Sequence, residues 1–459
     1  MKNTLRLTIL AAALAGAFPA LAQTNAEVLT ELKALRDRVA DLERKLQAAE
    51  ATKPKDGQWG MTPEQARELN RVAIKAEAME DAVESQGLKA LKISGYADPT
   101  YLYNKAQHRS GFQFLNPVAS DGYNYDNSYF GTVSIDFQKE MEGGTKWRLT
   151  LVPNRGTGSV IGDNSVVHEA SVMVPLGDLQ TRFIAGQIPD WSGYEYLPAT
   201  QNKLITHNLL FDFTLPTAYT GAGMEWLSGK WDTKVMLANM NSSKRNAGEK
   251  TPVIAYRVDY SKGEFQGFGF AGVHGKAANF ADPSGKDSRV DLLEADAYFI
   301  RGDLTLQGQV SYGKQKGAAI TPATDGSLRD ARWTGFSTLL AYKFIPRWEA
   351  VARLDYISNK KNGGGLLGYT VSDDRNGIGP GWSLVDDGEG GTMWTQADPE
   401  RGVNRTALSL GLSYLLNMNT TLKGELRFDR ASAPVFLDVT TGNYRKSNTI
   451  FGASAVVSF

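Results

Sequence analysis

The sequence predicts an all-β transmembrane protein: a 16-stranded antiparallel β-barrel preceded by an N-terminal helical coiled-coil segment. Three observations predict it. From Ala90 to Phe459 apolar and polar residues alternate with period two, the pattern of strands with one apolar face. The connectors between these segments alternate in length, seven short and eight long. After the first 22 residues no segment offers about 18 apolar residues in a row, which argues against a helical membrane crossing.

Residues 1–22 read as a secretory signal peptide. Lys2 and Arg6 precede an apolar run from Leu7 to Phe18, and Ala20-Leu21-Ala22 supplies small residues for cleavage. The run is too short to span a bilayer as a helix. Lys+Arg and Asp+Glu number 50 each; losing Lys2 and Arg6 leaves 48 against 50, so the basic surplus that nucleic acid would demand is absent. With no cysteine there is no disulfide, no thiol chemistry, no Cys-based metal site and no lipoprotein anchor. No residue pattern calls for a cofactor.

Residues 23–53 read as a coiled-coil stalk. Val28, Leu32, Leu35, Val39, Leu42 and Leu46 recur at spacings of four and three, a heptad seam flanked by Glu31, Arg36, Arg38, Glu43 and Lys45. The other reading of this stripe is an amphipathic helix packed on its own barrel. Residues 54–89 form a linker and a second helix. Thr62 caps it, Pro63 suits the first helical position, Gln65 completes a capping box, and Gly87 ends it. Its stripe of Leu69, Val72, Ala76, Met79 and Val83 could extend the stalk, lie on the barrel rim or plug the lumen.

Residues 90–459 are the barrel. The expected strands are 90–103, 128–140, 146–154, 166–175, 179–188, 220–228, 231–240, 252–260, 264–274, 289–300, 303–313, 332–343, 347–358, 404–416, 420–430 and 448–459. Short turns on one side and long loops on the other are the rule for transmembrane barrels. Within a strand, parity sorts the faces. Trp147, Leu149 and Leu151 face lipid, with Lys146 and Arg148 in the lumen. Leu422, Leu426 and Phe428 likewise oppose Lys423, Glu425, Arg427 and Asp429. A Lys or Arg on the lipid side costs about 2–4 kcal/mol near the midplane, so these charges point inward and the interior is wet. Gln266-Gly267 breaks parity and suggests a bulge. The last strand ends on Phe459 and must pair with the first, because lipid tolerates no open edge.

The chain resembles the sixteen-stranded porins of Gram-negative outer membranes, most closely the coiled-coil-bearing DcaP-like and phosphate-selective types. The residues that carry the resemblance are Ile93-Ser94-Gly95-Tyr96-Ala97-Asp98 in the first strand, Phe183-Ile184-Ala185-Gly186-Gln187-Ile188-Pro189 entering a long third loop, and Phe459. It implies a homotrimeric diffusion channel for small hydrophilic solutes or ions, whose third loop, Asp190 to Tyr219, folds inward. It also implies an outer-membrane location with the N-terminal helices in the periplasm, contact with lipid and lipopolysaccharide, and recognition of Phe459 by the barrel-assembly machinery. Candidate pore or constriction residues are Arg148, Arg182, Glu195, Lys203, His207, Asp212, Arg257, Arg353 and Arg427. Nine lumen cations face ten carboxylates, so the basic ladder of the phosphate-selective relatives is not evident and their substrate is not carried over.

Two rival functions remain. One is a plugged, non-conducting structural or adhesive barrel. The other is a barrel enzyme: His168 has lipid-facing parity near the outer rim, but Ser171 has the opposite parity. Gly363-x-Gly365-x-x-Gly368 lies in a glycine-rich loop with no following helix, so it is no dinucleotide site. Asp373, Asp374, Asp386, Asp387 and Glu389 read as solvated loop charge, with calcium binding as the alternative.

Overall fold

The computed structural model describes residues 62–459 without 86–87, 116–129, 155, 158–164, 243–248, 280, 320 and 360–378, together with seven residues between Lys33 and Lys45. The chain divides into two compact units, Met1–Lys89 and Ala90–Phe459.

In the first unit the seven described residues from Lys33 to Lys45 are helical, and Lys45 pairs with Asp41 one turn back at 2.9 Å. The signal segment and the seam residues Val28 to Leu46 lie outside the described residues, as do Gly363, Gly365, Gly368, Asp373 and Asp374 of the second unit. The second helix spans Pro63–Ser85. Its capping box is formed: the Gln65 amide donates to Thr62 Oγ1 at 3.2 Å, and the Thr62 amide donates to Gln65 Oε1 at 3.0 Å. Leu69, Val72 and Met79 of its apolar stripe are exposed.

The second unit is a closed antiparallel barrel of sixteen strands. The first strand is broken by Asp98-Pro99 into Leu91–Ala97 and Thr100–Asn104, because Pro99 offers no N–H to the ladder. The last strand, Ser447–Ser458, closes the barrel on both pieces, with Tyr96 opposite Ser458 and Tyr101 opposite Ala453. On the outside, cross-strand neighbours such as Leu306 and Leu340, or Leu410, Leu426 and Phe451, form partly exposed apolar rows. The wall is uneven in height: Lys146–Leu151 has 6 residues and Ala331–Ile345 has 15.

Three sequence expectations are corrected. The second strand does not follow a long first loop. Arg109–Gln113 turns back directly on Thr100–Asn104, and Val133–Glu140 continues the same line along Leu91–Ala97. Asp98 holds the residues just before the second piece, accepting from the amides of Gly131, at 3.2 Å, and Thr132. The expected bulge at Gln266-Gly267 is absent: Gln266–Ala278 pairs with both neighbours in unbroken register, and Glu264 and Phe265 belong to the turn. A register shift lies instead between Thr150 and Leu151, where Thr150 faces Glu169 and Leu151 faces Val167. His168 is therefore the extra residue. It turns in from the lipid face, is buried, and accepts from the Thr157 amide through Nδ1 at 3.1 Å.

The interior is also not wet throughout. Val273, Val290, Leu292 and Trp333 occupy lumenal positions of the taller wall and are fully covered. Leu209, Phe213 and Leu215 of the third loop pack on them. Each such side chain contributes about 1.5–3 kcal/mol when removed from water, so this apolar seat is a main attachment of the loop.

Candidate functional site: the inward loop and the passage beside it

The third loop leaves the wall after Pro189 and returns at Ala218, which face each other across strands Asp178–Pro189 and Ala218–Ser228. Its neck is closed by the Asp190 amide donating to the Thr217 carbonyl at 3.0 Å, and by Asn241 Oδ1 accepting from the Thr217 amide at 2.6 Å. Burial pushes the Asp190 carboxyl up to about 6, against the hydrogen bonds from Tyr219 and Ser192 that lower it. A short helix, Leu209–Phe213, starts where Asn208 Oδ1 accepts from the Phe211 amide at 2.8 Å, an N-cap that sets its apolar residues toward the wall.

Beyond that apolar seat, a polar clamp fastens the loop to strands Trp348–Ser358, Arg405–Asn417 and Thr420–Ala431. The Arg353 guanidinium, fully buried, binds Glu195 at 2.8 Å and Asp355 at 3.1 Å. It also donates to the carbonyls of Thr206 at 2.7 Å and His207 at 2.9 Å. Arg427 donates to the same His207 carbonyl at 2.9 Å and pairs with Asp429 at 3.2 Å. Arg405 shares Asp429 at 2.8 Å and lies over the Phe213 ring. Glu425 accepts from the amides of Ile205 and Thr206, both at 2.8 Å. The Lys423 ammonium donates to the carbonyls of Ala199 and Asn202, at 2.7 and 2.6 Å. Tyr194 donates to Ser337 at 2.5 Å, since Ser337 gives its own proton to Asp355 at 2.7 Å.

The nine candidate residues therefore separate. Arg353, Arg427 and Glu195 lie in the clamp. Lys203 is part-exposed and pairs with Glu349 at 2.8 Å. His207 donates from Nε2 to the Tyr196 carbonyl at 2.7 Å and stacks on Phe211, while Asp212 is buried in the short helix. Arg148, Arg182 and Arg257 sit on the wall that the clamp does not reach. Arg148 bridges Asp136 at 2.9 Å and Glu169 at 3.2 Å. Arg182 pairs with Glu225 at 3.2 Å, and Lys234 with Asp232 at 2.8 Å and Glu225 at 3.4 Å. Arg257 binds Asp259 at 2.6 Å and also Asp296.

Between the loop and the part of this wall that carries Asp136, Arg148, Glu169 and Lys234 lies an open cavity, the passage, of about 620 Å³. Its lining extends from Thr157 and His168, past Asp136, Arg148 and Glu169 facing Tyr196, Pro198 and Phe211, to Gly95 and Phe459 at the rim of the short turns. Sequence reasoning missed Arg405 as a member of the clamp, and it missed the use of Glu425 as an acceptor for the loop's backbone amides. It also placed His168 outside. Ser171 donates to Glu169 at 2.6 Å. Among the described residues no cluster of three His, Cys, Asp or Glu side chains is placed to hold a metal ion.

The lysine in the loop gives a first expected result. Lys203→Glu sets two carboxylates face to face where Lys203 now meets Glu349. The reversal potential in a KCl gradient should move toward cation preference relative to the parent, and further at low salt, where screening is weakest. An unchanged potential would remove Lys203 from the field of the pore.

Residues 61–459 match the family described as "Protein of unknown function (DUF3138)". No curated protein matches the chain. Among solved structures it is similar to the outer membrane channel DcaP of Acinetobacter baumannii, at 12% identity over 80% of this chain and 97% of that one, with a TM-score of 0.49. It is similar to an anion-selective porin from Comamonas acidovorans, at 12% identity over 80% and 99%, with a TM-score of 0.48. It is also similar to OmpT, an outer membrane protein of Vibrio cholerae, at 8% identity over 80% and 97%, with a TM-score of 0.48.

Proposed function

The chain belongs to the DUF3138 family, and we propose that it is an outer-membrane porin, a water-filled diffusion channel for small hydrophilic solutes or ions. The observation that carries this is the passage beside the inward loop, open along a wall of charged side chains inside a closed barrel. The partly exposed apolar rows outside suit lipid, and the short turns suit the periplasmic side. Purified protein in planar bilayers should conduct in KCl. A silent membrane carrying correctly folded protein would favour the plugged structural or adhesive barrel.

Assembly is part of the same proposal: a homotrimer, with the heptad helix in the periplasm strengthening it. Leu35→Asp with Leu42→Asp places charge in the apolar seam and should weaken the trimer on mild-detergent cross-linking. A monomer with and without these changes would overturn the trimer.

A further inference from the structure

Resting on the channel reading above, we propose that the open passage is a site for amphipathic organic cations, solutes with one ammonium group and a flat apolar body. Two independent features of the lining point there.

The first is how charge is divided. In the clamp and beside it, where Lys203 meets Glu349, the cations Lys203, Arg353, Arg405, Lys423 and Arg427 are matched by Glu195, Glu349, Asp355, Glu425 and Asp429. That half is neutral and is filled by the loop. On the uncovered wall each of Arg148, Lys234 and Arg257 has two carboxylates, and Arg182 shares one of them. Among the described residues four cations thus meet six carboxylates on that wall; of these Asp136, Glu169, Arg148 and Lys234 line the passage itself, where Asp190 at the neck of the loop adds a third carboxylate against the two cations, while Glu195 is held by Arg353. Low-dielectric walls focus such a field and raise the local concentration of cations.

The second is the opposite face of the same passage. Pro198 and Phe211 of the loop line it and are each partly open, and Tyr196 is 47% exposed. A channel for bare ions has no use for a wall of this kind. A ring or short alkyl body lying on it leaves water, while its ammonium group faces Asp136 and Glu169 across the passage. Tyr196 adds an aromatic face of the sort that attracts cations.

The test uses the full chain in planar bilayers, first in a KCl gradient and then with four probes: phenethylammonium, ethanolammonium, 2-phenylethanol and phenylacetate. The expected result is a reversal potential on the cation side. Phenethylammonium should block current at about tenfold lower concentration than ethanolammonium, the difference expected for half-burying a phenyl ring. The two uncharged or anionic ring compounds should block weakly. Asp136→Asn with Glu169→Gln leaves Arg148 unopposed and should reverse the order of phenethylammonium and phenylacetate. Arg148→Gln, which removes the cation instead, should strengthen phenethylammonium block. Heat-modifiable migration on gels checks that each variant is folded. A reversal potential on the anion side, equal block by ethanolammonium, or equal block by phenylacetate would each overturn the proposal while leaving a channel. Absence of any KCl current would overturn the channel reading itself.

Discussion

Arg353→Ala should release the third loop from the wall and raise single-channel conductance. The Arg353 side chain gathers many attachments at one point: Glu195, Asp355, the Thr206 and His207 carbonyls, Thr206 Oγ1 and Ser409 Oγ all accept from it. It is fully buried, and so are Glu195 and Asp355. Removing one member of a buried ion pair costs about 3–5 kcal/mol, because the partner charges stay behind without compensation. The strands are held by their own ladders, so relief comes from the loop, which can lift Glu195 back to water. Burial already pushes the Glu195 carboxyl upward against the pull of Arg353, and losing the guanidinium removes what opposes that push. Arg353→Lys keeps the charge but not the planar fork that reaches several acceptors at once, so it should fall between parent and Ala. Conductance histograms and the temperature of heat-modifiable unfolding read both effects. Parent-like values for Arg353→Ala in both would show that the apolar seat of Leu209, Phe213 and Leu215 holds the loop unaided.

The strand frame was legible in the sequence because a barrel wall obeys local rules. Six of the seven short turns carry a Gly or Pro signal, such as Gly143-Gly144, Gly177, Gly229 and Gly302, all at positive φ. The second strand was not legible, because nothing local says that Arg109–Gln113 and Val133–Glu140 are two pieces of one line; only their pairing along the same first strand shows it. Parity failed at His168 for the same reason. One extra residue opposite Thr150–Leu151 flips the face, and a bulge is a property of the pair of strands.

The dry part of the lumen did leave a trace. Val290 and Leu292 put two apolar residues at the lumen parity, just before Glu294 and Asp296 at the same parity. The matching trace in the loop is Leu209-Leu210-Phe211 with Phe213 and Leu215. What the sequence could not supply was the partition of charge. Counting lumen residues treats Arg353 and Arg148 alike, yet one is sealed under the loop while the other is 42% exposed at the passage. Selectivity follows from which charges stay open, and that is decided by where the loop lies.

Gly95→Val should prevent the barrel from closing. The first and last strands meet at a pair of hydrogen bonds, from the Gly95 amide to the Phe459 carbonyl at 3.1 Å and from the Phe459 amide to the Gly95 carbonyl at 3.0 Å. The Phe459 ring folds over the place where a side chain at Gly95 would stand. A Cβ there would lie 2.7 Å from the ring and would also strike the Ser134 carbonyl, which belongs to the backbone and cannot yield as a side chain does. Overpacking of this kind costs about 1–3 kcal/mol, and here it falls on the seam that completes the ladder. The amount of folded, heat-modifiable protein in cells should drop by about tenfold, the ratio such an energy gives. Gly424→Val is the control, since a Cβ at Gly424 meets nothing nearer than the Leu412 carbonyl at 4.0 Å. Deleting Phe459 removes both hydrogen bonds and the ring while opening space at Gly95. If Phe459 is also read by the barrel-assembly machinery, its deletion should lower the yield in cells while the purified chain still refolds in detergent. Gly95→Val should fail in both settings. Equal yields for Gly95→Val and Gly424→Val would mean that closure tolerates a side chain at this seam and that the Gly95–Phe459 contact does not govern assembly.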